Sequence, residues 1–246
     1  MAVNSPSPRG AGAPPRSPLA DRVLFMDAEA IILDKPAGLP VDAPRDGSLS
    51  LENHLVSLSF GFQRLPVPVH RLDRDTSGCL LLARNIKAAK RFTAAFEARE
   101  VTKTYLAVLD GVPQDTEGLI DIPLGKTSSA EQGWRMIADR KGKPALTRWQ
   151  VLAMRDGRTL VRMIPQTGRT HQLRAHALIG LGIGIMGDPV YRAASAGAGR
   201  SGGMLLHARA LSLPRAGKAP IAAVAPAPAG FAQAGFADIE TLDPPP

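Results

Sequence analysis

The most informative stretch of the chain is HRLDRDTSGCLLL, which covers residues 70–82. Two carboxylates and two guanidiniums lie within positions 71–75, and the apolar run that follows them predicts a buried strand. A carboxylate among arginines stays ionised near neutral pH, because a neighbouring cation favours the charged form. Such a group is a poor general acid, and it can act as a nucleophile, as a weak base or as half of a salt bridge. Which of these roles it has decides whether the protein is an enzyme.

Composition indicates a basic globular protein. The chain has 246 residues, 44% of them hydrophobic, with a formal net charge of +8 and a sequence pI of about 10.1. This hydrophobic content is typical of a protein with a core. A surface this basic favours a nucleic-acid partner, since phosphates are the commonest partner of such a surface. A basic protein with no polyanion partner is the alternative.

Cysteine content and hydropathy indicate the compartment. Cys79 is the single cysteine of the sequence, so an intramolecular disulfide cannot form. No stretch approaches the roughly 18 apolar residues needed to cross a membrane, and the N-terminus lacks the apolar segment of a signal peptide. We therefore expect a cytoplasmic protein without a membrane partner.

Hydrophobic patterning predicts one α+β domain at residues 21–240, between a disordered tail at 1–20 and a frayed C-terminus at 241–246. The predicted strands are 23–25, 30–33, 80–82, 102–109, 145–152, 159–164 and 221–224. The predicted helices are 51–58, 86–99 with Asn85 as N-cap, 170–179, and a short helix within 229–240. Because several connections are short, we expect an extended, mixed and largely antiparallel sheet with flanking helices.

A second polar cluster is TGRTHQLRAH at residues 167–176, which opens a predicted helix after a glycine. Helix N-termini present free N–H groups and positive potential, which suit phosphate. Arg169 and Arg174 add charge-assisted donors, and Gln172 adds an amide. The two histidines of the cluster are five residues apart, whereas a helical zinc pair needs spacing i, i+4, so we expect no metal site. An ordinary amphipathic helix with its polar residues outward is the alternative.

Two weaker patterns point to other ligands. GIGIMG at residues 182–187 matches the dinucleotide pattern G-x-G-x-x-G, but a predicted helix precedes it where that fingerprint requires a strand. A nucleotide-dependent oxidoreductase is therefore a weak alternative, and we expect no cofactor. Tyr105 shares a predicted strand face with Lys103, which would let a nucleobase stack beside a cation. A half-buried strand tyrosine with its hydroxyl to water is the alternative reading of Tyr105.

Six segments, in order along the chain, resemble the RluA-type pseudouridine synthases. They are DKPAGL at 34–39, HRLD-x-x-TSG at 70–78, KTYLAV at 103–108, TGRTHQLRAH at 167–176, GDPVY at 187–191 and LHA at 206–208. The HRLD and GRTHQ motifs together are highly specific, and the resemblance spans about residues 23–236. Gly184, where the family commonly has proline, and Arg192, where it often has glycine, depart from the pattern and leave the shape of loop 193–203 open.

The resemblance implies an isomerase that converts uridine in RNA to pseudouridine without cofactor or metal. It implies that Asp73 is the nucleophile, attacking the nucleoside or the sugar C1′ after glycosidic cleavage. It implies that Tyr105 stacks on the base and assists proton removal from C5, and that Arg169 pairs with Asp73. Arg71 would help to flip the base or occupy its place in the RNA.

Further substrate contacts follow from the same resemblance and from the polar clusters. An apolar wall of the pocket is expected from Leu205 or Leu206. The full set of expected substrate-binding residues is Arg71, His70, Lys103, Gln172, Arg174 and Leu206. Asp73 is favoured over Asp75 as the nucleophile, because Leu72 and the strand at 80–82 tie Asp73 to the sheet and a nucleophile needs a fixed position. Asp75 would cap the turn that follows.

The resemblance also implies the partner and the organisation of the chain. The expected partner is structured RNA, either ribosomal or transfer RNA. The protein is expected to act as a monomer. Since about 20 residues precede the first predicted strand, we expect a member that consists of the catalytic domain alone. Specificity would lie in loops 126–144 and 192–203. A catalytically silent RNA-binding protein on the same fold is the alternative.

Overall fold

The computed structural model describes residues 19–129, 133–192 and 203–244. The predictions for residues 1–18, for loop 193–202 and for the last two residues lie outside the described residues. Within them, no helix is long and apolar enough to cross a membrane.

Strands supply most of the regular structure. Their bounds are β1 Val23–Met26, β2 Ala30–Lys35, β3 Val67–Pro68, β4 Ser77–Ala83, β5 Thr102–Leu109, β6 Glu117–Asp121, β7 Leu124–Ser129, β8 Gly133–Ala138, β9 Leu146–Arg155, β10 Arg158–Pro165, β11 Leu206–Arg215 and β12 Lys218–Val224. The helices are α1 Ile86–Glu97, α2 Gln172–Leu181, α3 Ala229–Gln233 and α4 Ile239–Leu242, with 3-10 turns at Ala20–Arg22 and Leu51–His54.

Ten of the described strands form one sheet. Its main order is β1-β2-β4-β11-β5-β10-β9-β6, while β12 pairs with β11, β3 pairs with β4, and β7 and β8 form a separate hairpin. Of the pairings between described strands, β4 with β11 is the parallel one, and the others are antiparallel. The predicted α+β class with a mixed, largely antiparallel sheet is confirmed.

The parallel seam between β4 and β11 depends on one glycine. Gly78 lies opposite Ala208 and has φ +103°, and a Cβ added there would lie 2.2 Å from the Ala208 carbonyl oxygen. One residue earlier, the Ser77 Oγ and His207 Nδ1 are 2.8 Å apart. Only glycine lets the two strands approach so closely, which brings the HRLD loop before β4 next to the start of β11.

Local sequence signals set the first helix against the sheet. The Asn85 side chain accepts a hydrogen bond from the Ala88 N–H at 2.8 Å, as an N-cap does. Ala88 and Phe92 are buried with the apolar residues of β2, β4 and β11, whereas Ile86 is 55% exposed. Ile86 lies six residues before Phe92, which is about 120° round the helix from it at 3.6 residues per turn.

Both ends of the domain extend beyond the predicted boundaries of 21 and 240. Leu19, predicted to lie in the tail, is buried among the apolar residues of β2 and β4. Asp243, predicted to lie in the frayed end, is buried and accepts hydrogen bonds from Arg162 Nε at 2.7 Å and Arg209 Nε at 3.4 Å. A buried carboxylate has to be paired, and arginines from β10 and β11 therefore hold the C-terminal segment against the sheet.

Substituting Gly78 tests the seam. Gly78→Ala should lower the free energy of unfolding by about 3 kcal/mol or more, because the methyl group collides with backbone that cannot move aside. Gly157→Ala is the matched control, since Gly157 has φ +71° and a Cβ there would meet no atom within 4 Å. The control should lose only about 1 kcal/mol from left-handed strain. Equal losses in urea unfolding of the two variants would contradict the steric role of Gly78.

Buried His207 should make the fold sensitive to acid. Burial lowers the pKa of His207 to about 4, from an ordinary value of 6.5. Below pH 6.5 the unfolded chain therefore binds a proton that the folded chain does not, so the free energy of unfolding falls as the pH drops from 7 towards 4. Between pH 7 and pH 5 this group should account for about 1–2 kcal/mol. Urea unfolding at both pH values should show a weaker dependence for His207→Asn, and an unchanged dependence would contradict the assignment.

Candidate active site

The two polar clusters of the sequence meet in one open cleft of about 860 Å³. The HRLD loop forms one side, β5 and the start of β11 form the floor, and the segment before and within α2 forms the other side. The polar and aromatic side chains that line it include Arg71, Asp73, Tyr105, Arg169, His171 and Arg174. All three predicted catalytic residues, Asp73, Tyr105 and Arg169, therefore lie in the same cleft.

Asp73 has a fixed but accessible carboxylate. Its side chain is 19% exposed, and its Oδ2 accepts a hydrogen bond from Arg174 Nη1 at 3.1 Å. The Asp73 carbonyl oxygen accepts from the Thr76 N–H at 3.1 Å, which closes the turn into β4. Leu72 beside it is buried in the core. The described side-chain contacts of the carboxylate all involve Oδ2.

Arg174 is the charged centre of the site. Its Nε and Nη2 donate to the two oxygens of Asp188 at 2.7 and 2.9 Å, and Asp188 also accepts from the Val190 and Tyr191 N–H groups. Burial disfavours the charged form, but the hydrogen bonds and charges of Asp188 and Asp73 prevail and raise the pKa of Arg174 above its ordinary value. The guanidinium is thus permanently charged and fixes Asp73 relative to α2.

The predicted ion pair between Arg169 and Asp73 is wrong, because Arg174 takes that place. Arg169 Nε donates to the Pro144 carbonyl oxygen at 2.9 Å. Arg169 precedes α2, which begins at Gln172, whereas Arg174 lies in the first turn and is buried. Arg169 still lines the cleft.

Tyr105 and Lys103 lie on the floor of the cleft, two residues apart on β5. Tyr105 lies opposite Met163 of β10 in the sheet. Its side chain packs against two apolar clusters, one that includes Leu206 and one that includes Leu72. Burial, and then the Asp73 carboxylate, raise the pKa of Tyr105, so its hydroxyl stays protonated. Burial lowers the pKa of Lys103, whose Nζ lies 5.7 Å from the centre of the Phe96 ring.

Of the two leucines that the sequence left open as an apolar wall, Leu206 is the one at the cleft. Leu206 lines the cleft, while Leu205 packs with Phe231 in a different part of the core. Arg71 lies at the mouth of the cleft with 69% of its side chain exposed, and its Nη1 is 3.0 Å from Asp42 Oδ2.

Two predicted substrate-binding residues, Gln172 and His70, line the cleft and also make hydrogen bonds within the fold. The Gln172 amide accepts from Thr167 and from the Arg169 N–H, and it donates to Leu146 O and Thr147 Oγ1, so all of its hydrogen-bonding atoms are engaged. His70 Nε2 accepts from the Leu81 N–H at 2.9 Å, and its ring stacks on Phe96 at 4.6 Å. Burial, and then Lys103, lower the pKa of His70 to about 3, so the ring is neutral.

Sequence reasoning missed the buried lysine that joins two motifs. Lys35 Nζ donates to the carbonyl oxygens of Pro36, Leu39 and Arg74 at 2.9, 2.8 and 3.0 Å, which ties the DKPAGL loop to the loop after Asp73. Burial lowers the pKa of Lys35 to about 8, despite the nearby Asp75 and Asp73. A charged residue at the end of the apolar run 30–33 was the available signal.

Asp188 and Tyr191 were missed as partners because they lie beyond a glycine-rich segment. Among the described residues, no group of three or more His, Cys, Asp or Glu could hold a metal ion.

Comparison with known proteins identifies the family. The sequence profile of the RNA pseudouridylate synthases matches residues 29–178, which carry Asp73, Tyr105 and Arg174. The chain belongs to this family. The synthase is 58% identical over 218 residues to an uncharacterized RNA pseudouridine synthase of Zymomonas mobilis, covering 89% of this chain and 99% of that protein.

Two further relatives support the same conclusion. The synthase is 38% identical over 174 residues to the ribosomal large subunit pseudouridine synthase D of Nitrosomonas europaea, covering 69% of this chain and 49% of that protein. Human RNA pseudouridylate synthase domain containing 4 superposes with a TM-score of 0.72 at 28% identity, over 87% of this chain and 91% of that one. The resemblance to the RluA-type synthases is confirmed, and the protein is an isomerase that converts uridine to pseudouridine in RNA.

Removing Arg174 should destabilise the synthase through its buried partner. Arg174→Met leaves the Asp188 carboxylate buried and unpaired, which should cost about 3–5 kcal/mol of unfolding free energy. Adding Asp188→Asn should recover part of that loss, since the amide is neutral and its oxygen can still accept from the two backbone N–H groups. Arg169→Met is the control and should cost less than about 1 kcal/mol, because it loses one partly exposed hydrogen bond. Urea unfolding measures all three, and equal losses for Arg174→Met and Arg169→Met would contradict this account.

Proposed function

We propose that the synthase isomerises uridines in structured RNA with Asp73 as the nucleophile and the target base flipped into the cleft. The observation that carries the proposal is the Asp73 carboxylate, held at 3.1 Å by the permanently charged Arg174 and partly exposed in the cleft with Tyr105 and Leu206. A nucleophile needs a fixed position and an ionised state, and the guanidinium supports both.

The chemistry requires one bond to break and another to form at the same sugar carbon. The N1–C1′ bond is cleaved, the uracil turns, and C5 bonds to C1′; C5 then loses its proton and N1 gains one, so the product is an isomer. A carboxylate that adds to the nucleoside, at C1′ or at the base, would divide this change into easier steps. Asp73 Oδ1 would be the attacking oxygen, since Arg174 binds Oδ2.

Tyr105 and Leu206 would hold the detached base during its rotation. An aromatic ring offers a stacking face to any base, and an apolar wall lets the base turn without breaking hydrogen bonds. The raised pKa of Tyr105 favours stacking as its main role, because a protonated hydroxyl cannot accept the C5 proton until its own proton has left. Proton removal from C5 would therefore need Tyr105 together with a second acceptor.

RNA binding would rest on the exposed basic residues around the cleft. Arg71 and Arg169 lie at its edges, and Arg71 is exposed enough to enter the space that a flipped base leaves. The formal net charge of +8 supports attraction of phosphates. The relative from Nitrosomonas is named for the ribosomal large subunit, which favours ribosomal over transfer RNA as the substrate. Since one chain supplies every named residue of the cleft, a monomer would suffice for activity.

Substituting Asp73 tests the nucleophile. Asp73→Asn should lower pseudouridine formation by about 10³-fold or more, since loss of a nucleophile removes the covalent route. RNA affinity should change little, because phosphate contacts dominate it. Asp75→Asn is the matched control, two positions away in the same loop, and should retain activity within about tenfold.

The substrate and the nucleophile can be tested separately. Mapping of pseudouridine in total RNA from cells that lack the synthase should reveal missing sites in ribosomal RNA, and RNA containing those sites then serves for assays in vitro. Missing sites in transfer RNA alone would overturn the ribosomal assignment but leave Asp73 untouched. Asp73→Asn activity within tenfold of the wild type on the mapped RNA would overturn the nucleophile.

A further inference from the structure

His171 lies beside the Asp73 carboxylate and plays no part in the chemistry described so far. Its Nε2 is 3.8 Å from Asp73 Oδ2, and its Nδ1 is 3.2 Å from the Tyr191 hydroxyl oxygen. It is the N-cap residue of α2 and has φ +51°, a left-handed conformation that is uncommon for a residue other than glycine. Such conformations persist where surrounding contacts over-determine them, and they cluster at functional sites.

The hydrogen bonds of Tyr191 determine which nitrogen of His171 carries the proton. The Tyr191 hydroxyl oxygen accepts from the Met136 N–H at 2.7 Å. Tyr191 is buried, and its single hydroxyl proton needs an acceptor, which His171 Nδ1 provides. Nδ1 is then an acceptor, so in the neutral ring the proton is on Nε2. The Nε2–H group consequently faces Asp73.

The opposite tautomer is disfavoured at both ends of the ring. A proton on Nδ1 would leave the Tyr191 hydroxyl proton without an acceptor among the described residues. It would also turn the Nε2 lone pair towards the Asp73 carboxylate, which is a repulsive contact. Burial lowers the pKa of the His171 imidazole. The positive charges of Arg174 and Arg71 also lower it, whereas the negative charges of Asp73 and Asp188 raise it. The ring is therefore neutral, with one proton to place.

We propose that His171 is a positioning residue for Asp73, held as the Nε2–H tautomer by Tyr191 so that its N–H restrains Oδ2 on the side opposite the attacking oxygen. This inference rests on the proposed role of Asp73 as nucleophile. At 3.8 Å the contact is longer than a hydrogen bond, and it should shorten when RNA closes the cleft, as catalytic hydrogen bonds commonly do. Arg174 and His171 would together keep Oδ2 engaged and leave Oδ1 free.

The β7–β8 hairpin sets the orientation of the His171 ring. Met136, whose N–H fixes the Tyr191 hydroxyl, lies on β8. Trp134, on the same strand, packs edge-on against His171 with ring centres 4.7 Å apart, and the Lys126 ammonium lies 5.5 Å from the centre of the Trp134 ring. The hairpin is thereby connected to Asp73 through two side chains, Tyr191 and His171.

The tautomer can be observed without any activity measurement. In the wild-type synthase labelled with ¹⁵N-histidine, two-bond ¹⁵N–¹H spectra should show His171 with an unprotonated Nδ1 and a protonated Nε2, assigned by the loss of its signals in His171→Gln. In Tyr191→Phe the Nδ1 loses its donor, and the signals should shift towards a mixture of tautomers. A proton on Nδ1 in the wild type would overturn the proposal whatever the kinetics show.

Kinetics then separate positioning from folding. Tyr191→Phe and His171→Ala should lower kcat by about 10–100-fold with KM for RNA changed less than about threefold, because only the placement of the carboxylate is lost. His171→Gln keeps a donor of similar reach and should recover about tenfold of the loss in His171→Ala. Unchanged kcat in folded Tyr191→Phe would refute the role.

A second buried histidine on the same helix provides the matched control. His176 bonds Thr147 Oγ1 at 2.9 Å and the Ile122 carbonyl oxygen at 3.1 Å, with no described contact to Asp73. His176→Gln should lower thermal stability and leave kcat of the folded enzyme unchanged. A loss of kcat in His176→Gln equal to that in Tyr191→Phe would assign both effects to folding. Asp73→Asn separates the proposed nucleophile from the proposed role of His171. If Asp73→Asn retains turnover, Asp73 is not the nucleophile, whereas the spectra still report the tautomer of His171.

Discussion

The buried guanidinium of Arg174 is the constraint on which the site depends. A charge removed from water is tolerated only when it is paired and hydrogen-bonded. Arg174 meets this condition with Asp188 on one side and Asp73 on the other, and these carboxylates come from loops 115 residues apart in the chain. If the Asp188 loop left its place, the buried Arg174 guanidinium would lose its bidentate partner. The two ion pairs thus favour one arrangement of the loops around the cleft, as the apolar core favours one arrangement of the strands.

The sheet supplies the second half of the site, and it does so through close backbone approach. Because Gly78 lets β4 lie parallel to the start of β11, the loop that carries Asp73 ends beside Leu206. Strand β5 pairs with the other edge of β11, which places Tyr105 on the same floor. Lys35 then fastens the neighbouring loop to the turn after Asp73 through three carbonyl oxygens. Each element reaches the cleft through a contact that a single changed residue could prevent.

Sequence patterns predicted most of the buried strands, but they missed β11, which buries six of its ten residues, and the hairpin β7–β8, which buries few. Strand β5 was predicted with its full bounds, 102–109, and its last four residues, 106–109, are all buried. The hairpin β7–β8 was not predicted, since β7 buries only Leu124 and β8 buries no residue among those described. Within the site, motif order placed Asp73 and Tyr105 correctly in one cleft. It confused Arg169 with Arg174 because the choice depends on where α2 begins, and helix ends are set by cap geometry that a one-dimensional pattern does not contain.

The balance of charges explains why the cleft needs a basic rim. One guanidinium faces two carboxylates, so the buried cluster of Arg174, Asp73 and Asp188 keeps one net negative charge. That charge is what a nucleophile requires, yet it repels a polyanionic substrate. His171 cannot neutralise it, because burial keeps its ring uncharged. Attraction of RNA must therefore come from cations outside the cluster, and the exposed Arg71 at the mouth is placed to provide it. In the proposed function, this separation of a buried carboxylate cluster from an exposed guanidinium would let the same cleft attract phosphates and keep Asp73 ionised.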